Sequence, residues 1–256
     1  MIEHYTAARA ELTAPGSPFE VVRENVMGSD ILVYKSAPPN IRVMWEATAA
    51  HGDKDYIVYE DERYTYSEIH SQVRKRAAYL QAHGAVPGTR VALAMRNYPE
   101  WVVGYWACVS IGVAAVGMNA WWTAPEMEYA LTDSDPVVFI GDDERLERLA
   151  QLGERPQMHV VAVRSDRAVQ SNSARWADVL ATADPGSLPA VEIGPEDDAT
   201  IFYTSGTTGF PKGAQLTHRG SVTNILNLVA MTTASSMAEQ KAIAAGDVPA
   251  PAAPAE

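Results

Sequence analysis

The sequence predicts an α/β fold, a mainly parallel sheet flanked by helices on both faces. Short apolar runs alternate with helical patterns along most of the chain, the order that builds a parallel sheet with crossover helices. The runs are continuously apolar, as strands buried on both faces are. Glycine and proline fall between the segments, where they end or open helices.

Residues 1–40 are expected to be irregular, punctuated by Pro15-Gly16, Ser17-Pro18 and Pro38-Pro39. A helix follows over Ile41–Ala50, then two short strands, Tyr56–Glu60 and Arg63–Tyr66, around the turn Asp61-Glu62. Ser67 is placed to cap a helix that runs to His83 and stops at Gly84. Arg90–Met95 reads as a strand, Glu100–Ile111 as a buried helix ended by Gly112, and Ala114–Met118 as a strand. Pro125 opens a helix to Leu131. Val137–Ile140 and His159–Val163 are strands around a helix at Asp143–Leu152. A polar stretch over 164–195 holds one short helix, Trp176–Leu180. Ala199–Tyr203 is a strand, and Thr217–Thr232 a helix with Val222, Ile225, Leu226 and Val229 on one face. Ala242–Glu256 is rich in alanine and proline and is expected to be a mobile tail.

The chain has 256 residues and a formal charge of −12, with no Lys/Arg-rich run. Nucleic acid and anionic membrane surfaces are therefore not expected as partners. Cys108, the single cysteine, sits in an apolar run and reads as inert core, in keeping with a cytoplasmic location. The amino terminus lacks the basic start and apolar stretch of a signal peptide. Trp101–Trp122 is uncharged and long enough to cross a bilayer. Similar helix–strand units on either side favour a buried helix, a glycine stop and a buried strand, so no transmembrane span is expected.

The stretch that carries chemistry is Ile201-Phe-Tyr-Thr-Ser-Gly-Thr-Thr-Gly-Phe-Pro-Lys-Gly-Ala-Gln-Leu-Thr-His218. An apolar strand runs into a segment of hydroxyl residues and glycines, then Pro-Lys, then a helix. Gly206 and Gly209 allow backbone conformations in which successive N–H groups point into one concavity. Thr204, Ser205, Thr207 and Thr208 add hydroxyl donors for phosphate oxygens, and Lys212 adds a positive charge on a flexible stem. The spacing is not that of a Walker loop. No general base is visible among these residues, so they are assigned to phosphate binding rather than catalysis.

Tyr203–Gly213 closely resembles the phosphate-binding signature of the adenylate-forming superfamily. Tyr64-Thr-Tyr-Ser-Glu-Ile69 resembles that family's first core motif, and Cys108-Val-Ser-Ile-Gly-Val-Ala-Ala-Val-Gly-Met-Asn119 its second. Asp61–Tyr66, Asn97–Trp101 and Asn119–Thr123 look most like the fatty-acyl-CoA ligase branch. The resemblance implies an incomplete N-terminal domain over residues 41–235, between the irregular segment 1–40 and a tail over 236–256. It implies ATP, Mg²⁺ and coenzyme A as cofactor and co-substrates and a carboxylic acid, a fatty acid in this branch, as substrate. Thr204, Ser205, Gly206, Thr207, Thr208, Gly209 and Lys212 become the ATP-phosphate-binding residues. The family's later motifs, which serve adenine, ribose, Mg²⁺ and the adenylation lysine, are not among these residues. The chain alone is thus expected not to turn over ATP, and to self-associate through exposed apolar surface. Two other readings stay open: an adenylation domain that loads a carrier protein, and a non-catalytic phosphate-binding remnant.

Outside the loop, His218 and Arg219 are balanced between phosphate contact and an exposed helix start. Trp121 and Trp122 read as packing residues rather than an acyl channel. Asp142-Asp143-Glu144 reads as an acidic helix start, Glu196-Asp197-Asp198 as a solvated loop. His51, His70 and His83 have no metal-ligand spacing.

Overall fold

The computed structural model describes residues 1–153, 155, 157–166, 172–204 and 211–249. The backbone divides into two units, residues 1–38 with residues 220–256, and residues 39–219.

In the first unit the expectation of irregular backbone is corrected. Helix α1 spans Ile2–Leu12, and strands β1 (Val21–Val26) and β2 (Ser29–Tyr34) form an antiparallel hairpin. Its two-residue turn, Met27-Gly28, has φ of 49° and 85°. Positive φ at both positions matches the twist of the flanking strands. Methionine stands where Asn or Asp usually marks such a turn, which hides the hairpin in the sequence.

The second unit opens with α2 (Ile41–Ala47), capped by the Asn40 side chain, and a 3-10 turn at Thr48–His51. Strands β3 (Asp55–Tyr59) and β4 (Glu62–Thr65) form the expected hairpin. Helix α3 (Tyr66–Ala82) is capped by Thr65, not Ser67. Thr65 and Glu68 each hydrogen-bond the other's backbone, and this reciprocal bonding satisfies two free donors at once, which moves the helix start upstream.

The main sheet is built from β5 (Arg90–Ala94), β6 (Ala114–Gly117), β7 (Val138–Asp142), β8 (His159–Val163), β9 (Ser173–Arg175), β10 (Asp198–Thr204) and β11 (Lys212–Thr217). Their order across the sheet is β11-β10-β6-β5-β7-β8-β9. All neighbours pair in parallel except β10 and β11, which form an antiparallel hairpin. Helices α4 (Pro99–Val109), α5 (Ala124–Ser134), α6 (Asp143–Leu149) and α7 (Trp176–Leu180) connect the strands.

Both faces of the sheet are covered, as the apolar runs require. One core gathers Trp45, Ile69, Val73 and Leu80 with Leu93, Ile140 and Trp176; the other gathers Met127 and Leu131 with Phe139 and Ile201. The uncharged stretch folds as α4, a reversal at Gly112 (φ 70°) and β6. Among the described residues no helix is long and apolar enough to cross a membrane. Cys108 is fully buried, and burial pushes its thiol pKa well up.

Strands β9 and β11 are absent from the sequence reading. Lys-Gly-Ala-Gln-Leu-Thr has little intrinsic strand preference and is extended because it pairs with β10. Helix α8 (His218–Ala245) runs beyond Thr232, since the Ala-rich segment there is good helix-forming sequence. The first residues of the expected tail, to Ala245, are therefore helical, and residues 250–256 lie outside those described. Of the predicted helix face, Val222 is buried and Val229 is exposed.

Candidate phosphate-binding site

Strand β10 runs in the same direction as β5, β6 and β7, so Thr204 stands at the carboxyl edge of the parallel strands. Ligands of open α/β sheets gather at that edge. Thr204 pairs with Lys212, and its hydroxyl donates to the Lys212 carbonyl at 3.4 Å. The two residues that bracket the predicted loop are therefore neighbours across one hairpin, and both are exposed. Ser205, Gly206, Thr207, Thr208 and Gly209 lie outside the described residues.

Behind the hairpin the stem is tightly anchored. Tyr203 pairs with Gly213, where an added Cβ would come within 3.1 Å of Ile201 and 3.3 Å of the Tyr203 ring. Glycine fits closest there, since any side chain would push the Ile201 side chain and the Tyr203 ring back by a few tenths of an ångström. The Tyr203 hydroxyl donates to Asp133 on α5 at 2.6 Å, and its ring meets Trp122 edge-on at 5.6 Å. Burial first, and the Asp133 carboxylate second, raise the phenol pKa, so it stays a neutral donor. On the other face Phe202 and Leu216 are exposed beside the edge strand.

The roots of both strands meet α2. The Asn40 side-chain amide donates to the Ile193 carbonyl at 3.0 Å, just ahead of β10. The His218 Nδ1, just after β11, accepts the Ile41 N–H at 3.3 Å. His218 and Arg219 also donate their backbone N–H groups to Asp197 (3.0 Å) and Pro195 (2.7 Å). The sequence leaves His218 between a phosphate contact and an exposed helix start; it is neither exposed nor at the surface, with relative exposure of 0%. Burial lowers its pKa to about 4, so the ring is neutral. Arg219 reaches Glu196 at 2.6 Å, so part of the loop expected to be solvated is ion-paired.

The neighbouring strand ends add a second cluster at the same edge. Asp142 caps α6 and accepts the Arg96 N–H at 3.1 Å. The Arg96 guanidinium lies 4.0 Å over Trp121, which is 69% exposed, whereas Trp122 is buried. The packing role expected for both tryptophans therefore holds for Trp122 alone. Sequence reasoning missed Asn40 and Tyr203–Asp133 altogether, because their partners are remote in the chain.

The sheet is mostly parallel and covered on both faces, and an edge-strand hairpin brings Thr204 and Lys212 to its carboxyl end, the edge where open α/β sheets gather ligands. The sequence profile of AMP-binding enzymes matches residues 44–249, and the chain belongs to that family. Among curated relatives, feruloyl-CoA synthase of Amycolatopsis sp. is 34% identical over 172 residues, 67% of this chain and 32% of that protein. The medium/long-chain-fatty-acid–CoA ligase FadD6 of Mycobacterium tuberculosis is 29% identical over 176 residues, 69% of this chain and 28% of that protein. The anthranilate CoA ligase AuaEII, solved with anthranoyl-AMP, superposes with a TM-score of 0.65 at 27% identity, covering 70% of this chain and 35% of that one. The inhibitor-bound N-terminal domain of FACL13 from M. tuberculosis gives 0.61 at 29% identity, covering 71% and 45%. The chain spans about a third of the length of the curated relatives it matches.

Proposed function

We propose that residues 203–213 hold the pyrophosphate end of ATP for an ATP-dependent acid–thiol ligase. In that reaction a carboxylate attacks the α-phosphate, forming an acyl-adenylate and pyrophosphate, and coenzyme A then displaces AMP to give a thioester. The observation that carries the reading is the juxtaposition of Thr204 and Lys212 at the carboxyl edge of the sheet. The two strands on either side of the intervening residues are held by Tyr203, Asn40 and His218. Donors oriented in advance stabilise the charge that grows on the leaving group without reorganising. Mg²⁺ would arrive on the nucleotide phosphates, and no residue of this chain is assigned to it.

A fatty acid is the proposed acid, on the branch resemblance of Asp61–Tyr66, Asn97–Trp101 and Asn119–Thr123 and on the relative FadD6. Relatives named for feruloyl and coumarate ligation make an aryl acid the competing choice. A carrier-protein thiol is the alternative acceptor; one relative, tyrocidine synthase 3 of Brevibacillus parabrevis, 30% identical over 174 residues, is named as a synthase and not as a CoA ligase.

Calorimetry with magnesium pyrophosphate tests the site. Replacing Lys212 by methionine removes a charge-assisted contact of about 1.5–3 kcal/mol, so affinity should fall by roughly 10- to 150-fold. Absence of binding to the unaltered chain at millimolar pyrophosphate would remove the reading. These residues span about a third of the length of the curated relatives they match, so this polypeptide assayed alone should give no ATP–pyrophosphate exchange with any of a panel of carboxylic acids. Robust exchange would show that the assignment of parts is wrong.

A further inference from the structure

We infer that His218 is a positioning residue for the phosphate hairpin, acting through its Nδ1 lone pair rather than through its bulk. The inference rests on the phosphate-loop reading above and extends it to a residue remote from the loop.

Strand β10 is held on both sides, by β6 and β11, whereas β11 is an edge strand with β10 as its single neighbour. Residues Lys212–Leu216 are all exposed. Beyond the ladder, the placement of Lys212 therefore depends on how the far end of β11 is rooted. That root is His218, fully buried, whose Nδ1 takes the first amide of α2. Asn40 serves the same helix turn, accepting from the Val43 N–H while donating to Ile193 in the segment that leads into the other strand. One helix terminus thus pins both legs of the hairpin, through Asn40 on the entering leg and His218 on the leaving leg.

The ring's other nitrogen makes the point sharper. With Nδ1 accepting, the proton sits on Nε2, and that buried atom has no hydrogen-bond partner among the described residues. A site selecting for bulk alone would be served by leucine without the unmet donor. What histidine supplies and leucine cannot is an acceptor for the Ile41 amide, which would otherwise be buried unpaired.

Two substitutions separate the alternatives. His218→Asn can place a carbonyl oxygen where Nδ1 stands, but it loses the ring volume. His218→Leu keeps the volume and loses the acceptor. If the acceptor positions the hairpin, magnesium pyrophosphate affinity should stay within about 3-fold of the unaltered chain in the Asn variant and fall by about 10-fold or more in the Leu variant. The reverse order, Leu tolerated and Asn impaired, assigns His218 to packing and overturns the inference; so do equal losses. Amide hydrogen exchange supplies a readout independent of ligand. Exchange at Lys212–Thr217 should quicken in the Leu variant and not in the Asn variant. Should the unaltered chain fail to bind pyrophosphate, the function reading falls while exchange still decides the role of His218: unchanged protection in both variants overturns it.

Discussion

Replacing Asp142 by alanine is expected to lower the free energy of unfolding by about 3–5 kcal/mol, the range for breaking a buried ion pair from one side. Asp142 is 4% exposed and Arg145 is 0% exposed. One carboxylate oxygen caps α6 by accepting the Arg145 N–H at 3.2 Å, and it also lies 3.0 Å from the Arg145 Nε, an ionic contact without hydrogen-bond geometry. The other oxygen accepts the Arg96 N–H. Alanine would remove the cap, leave the Arg96 amide unpaired, and leave a buried guanidinium with Glu144 as its remaining carboxylate partner. Because the Arg145 Nε and Nη2 already lack hydrogen bonds, little is available to compensate. Asp142→Asn keeps the acceptor and should cost less. Combining Asp142→Ala with Arg145→Met should recover part of the loss, since the uncompensated charge goes too. Urea unfolding of the three variants is the measurement. An alanine variant within about 1 kcal/mol of the unaltered chain would mean that the pair is not buried in solution, on the magnitudes for exposed pairs.

The second large effect is a loss of stability in mild acid. His218 has its pKa lowered from 6.5 to about 4 in the fold, chiefly by burial, with Asp197 opposing. The folded state therefore favours the neutral ring, and protons bind more readily to the unfolded chain. Stability from this source is present in full above pH 6.5, declines as pH falls below that value, and is exhausted near pH 4. Each tenfold change in proton affinity is worth about 1.4 kcal/mol, so the whole span corresponds to about 3 kcal/mol. Burial lowers His70 and His159 in the same sense. The carboxylates held low, among them Glu62 and Glu126, lose their contribution only at lower pH. Urea midpoints in the mildly acid range, from neutral down to roughly pH 5, should therefore fall for the unaltered chain and fall less for His218→Asn. Identical slopes would show that His218 titrates normally and is not sealed in the fold.

The parts legible in the sequence are those set by local pattern. Continuous apolar runs announced β5, β6, β7 and β8. Strand β11 was not legible, because its conformation comes from its partner rather than from Lys-Gly-Ala-Gln-Leu-Thr. The β1–β2 hairpin was hidden by Met27 in a position that favours Asn or Asp, and Thr65 took the cap from Ser67 because Glu68 could reciprocate. At the proposed site, residue type singled out Thr204 and Lys212, which pair across the hairpin, but not the anchors behind them. Asn40 to Ile193 and Ile41 to His218 join residues more than 150 positions apart, and no window of sequence carries that information.

The buried state of Cys108 has a practical corollary. Its thiol is out of reach of maleimide reagents and holds its proton far above neutral pH. A cysteine introduced on the exposed face of β11, for example at Gln215, would then carry a fluorophore as the single reactive thiol, with no background to remove. Such a reporter would test the proposed arrival of nucleotide at the sheet edge while leaving Lys212 and Thr204, farther along the hairpin, untouched.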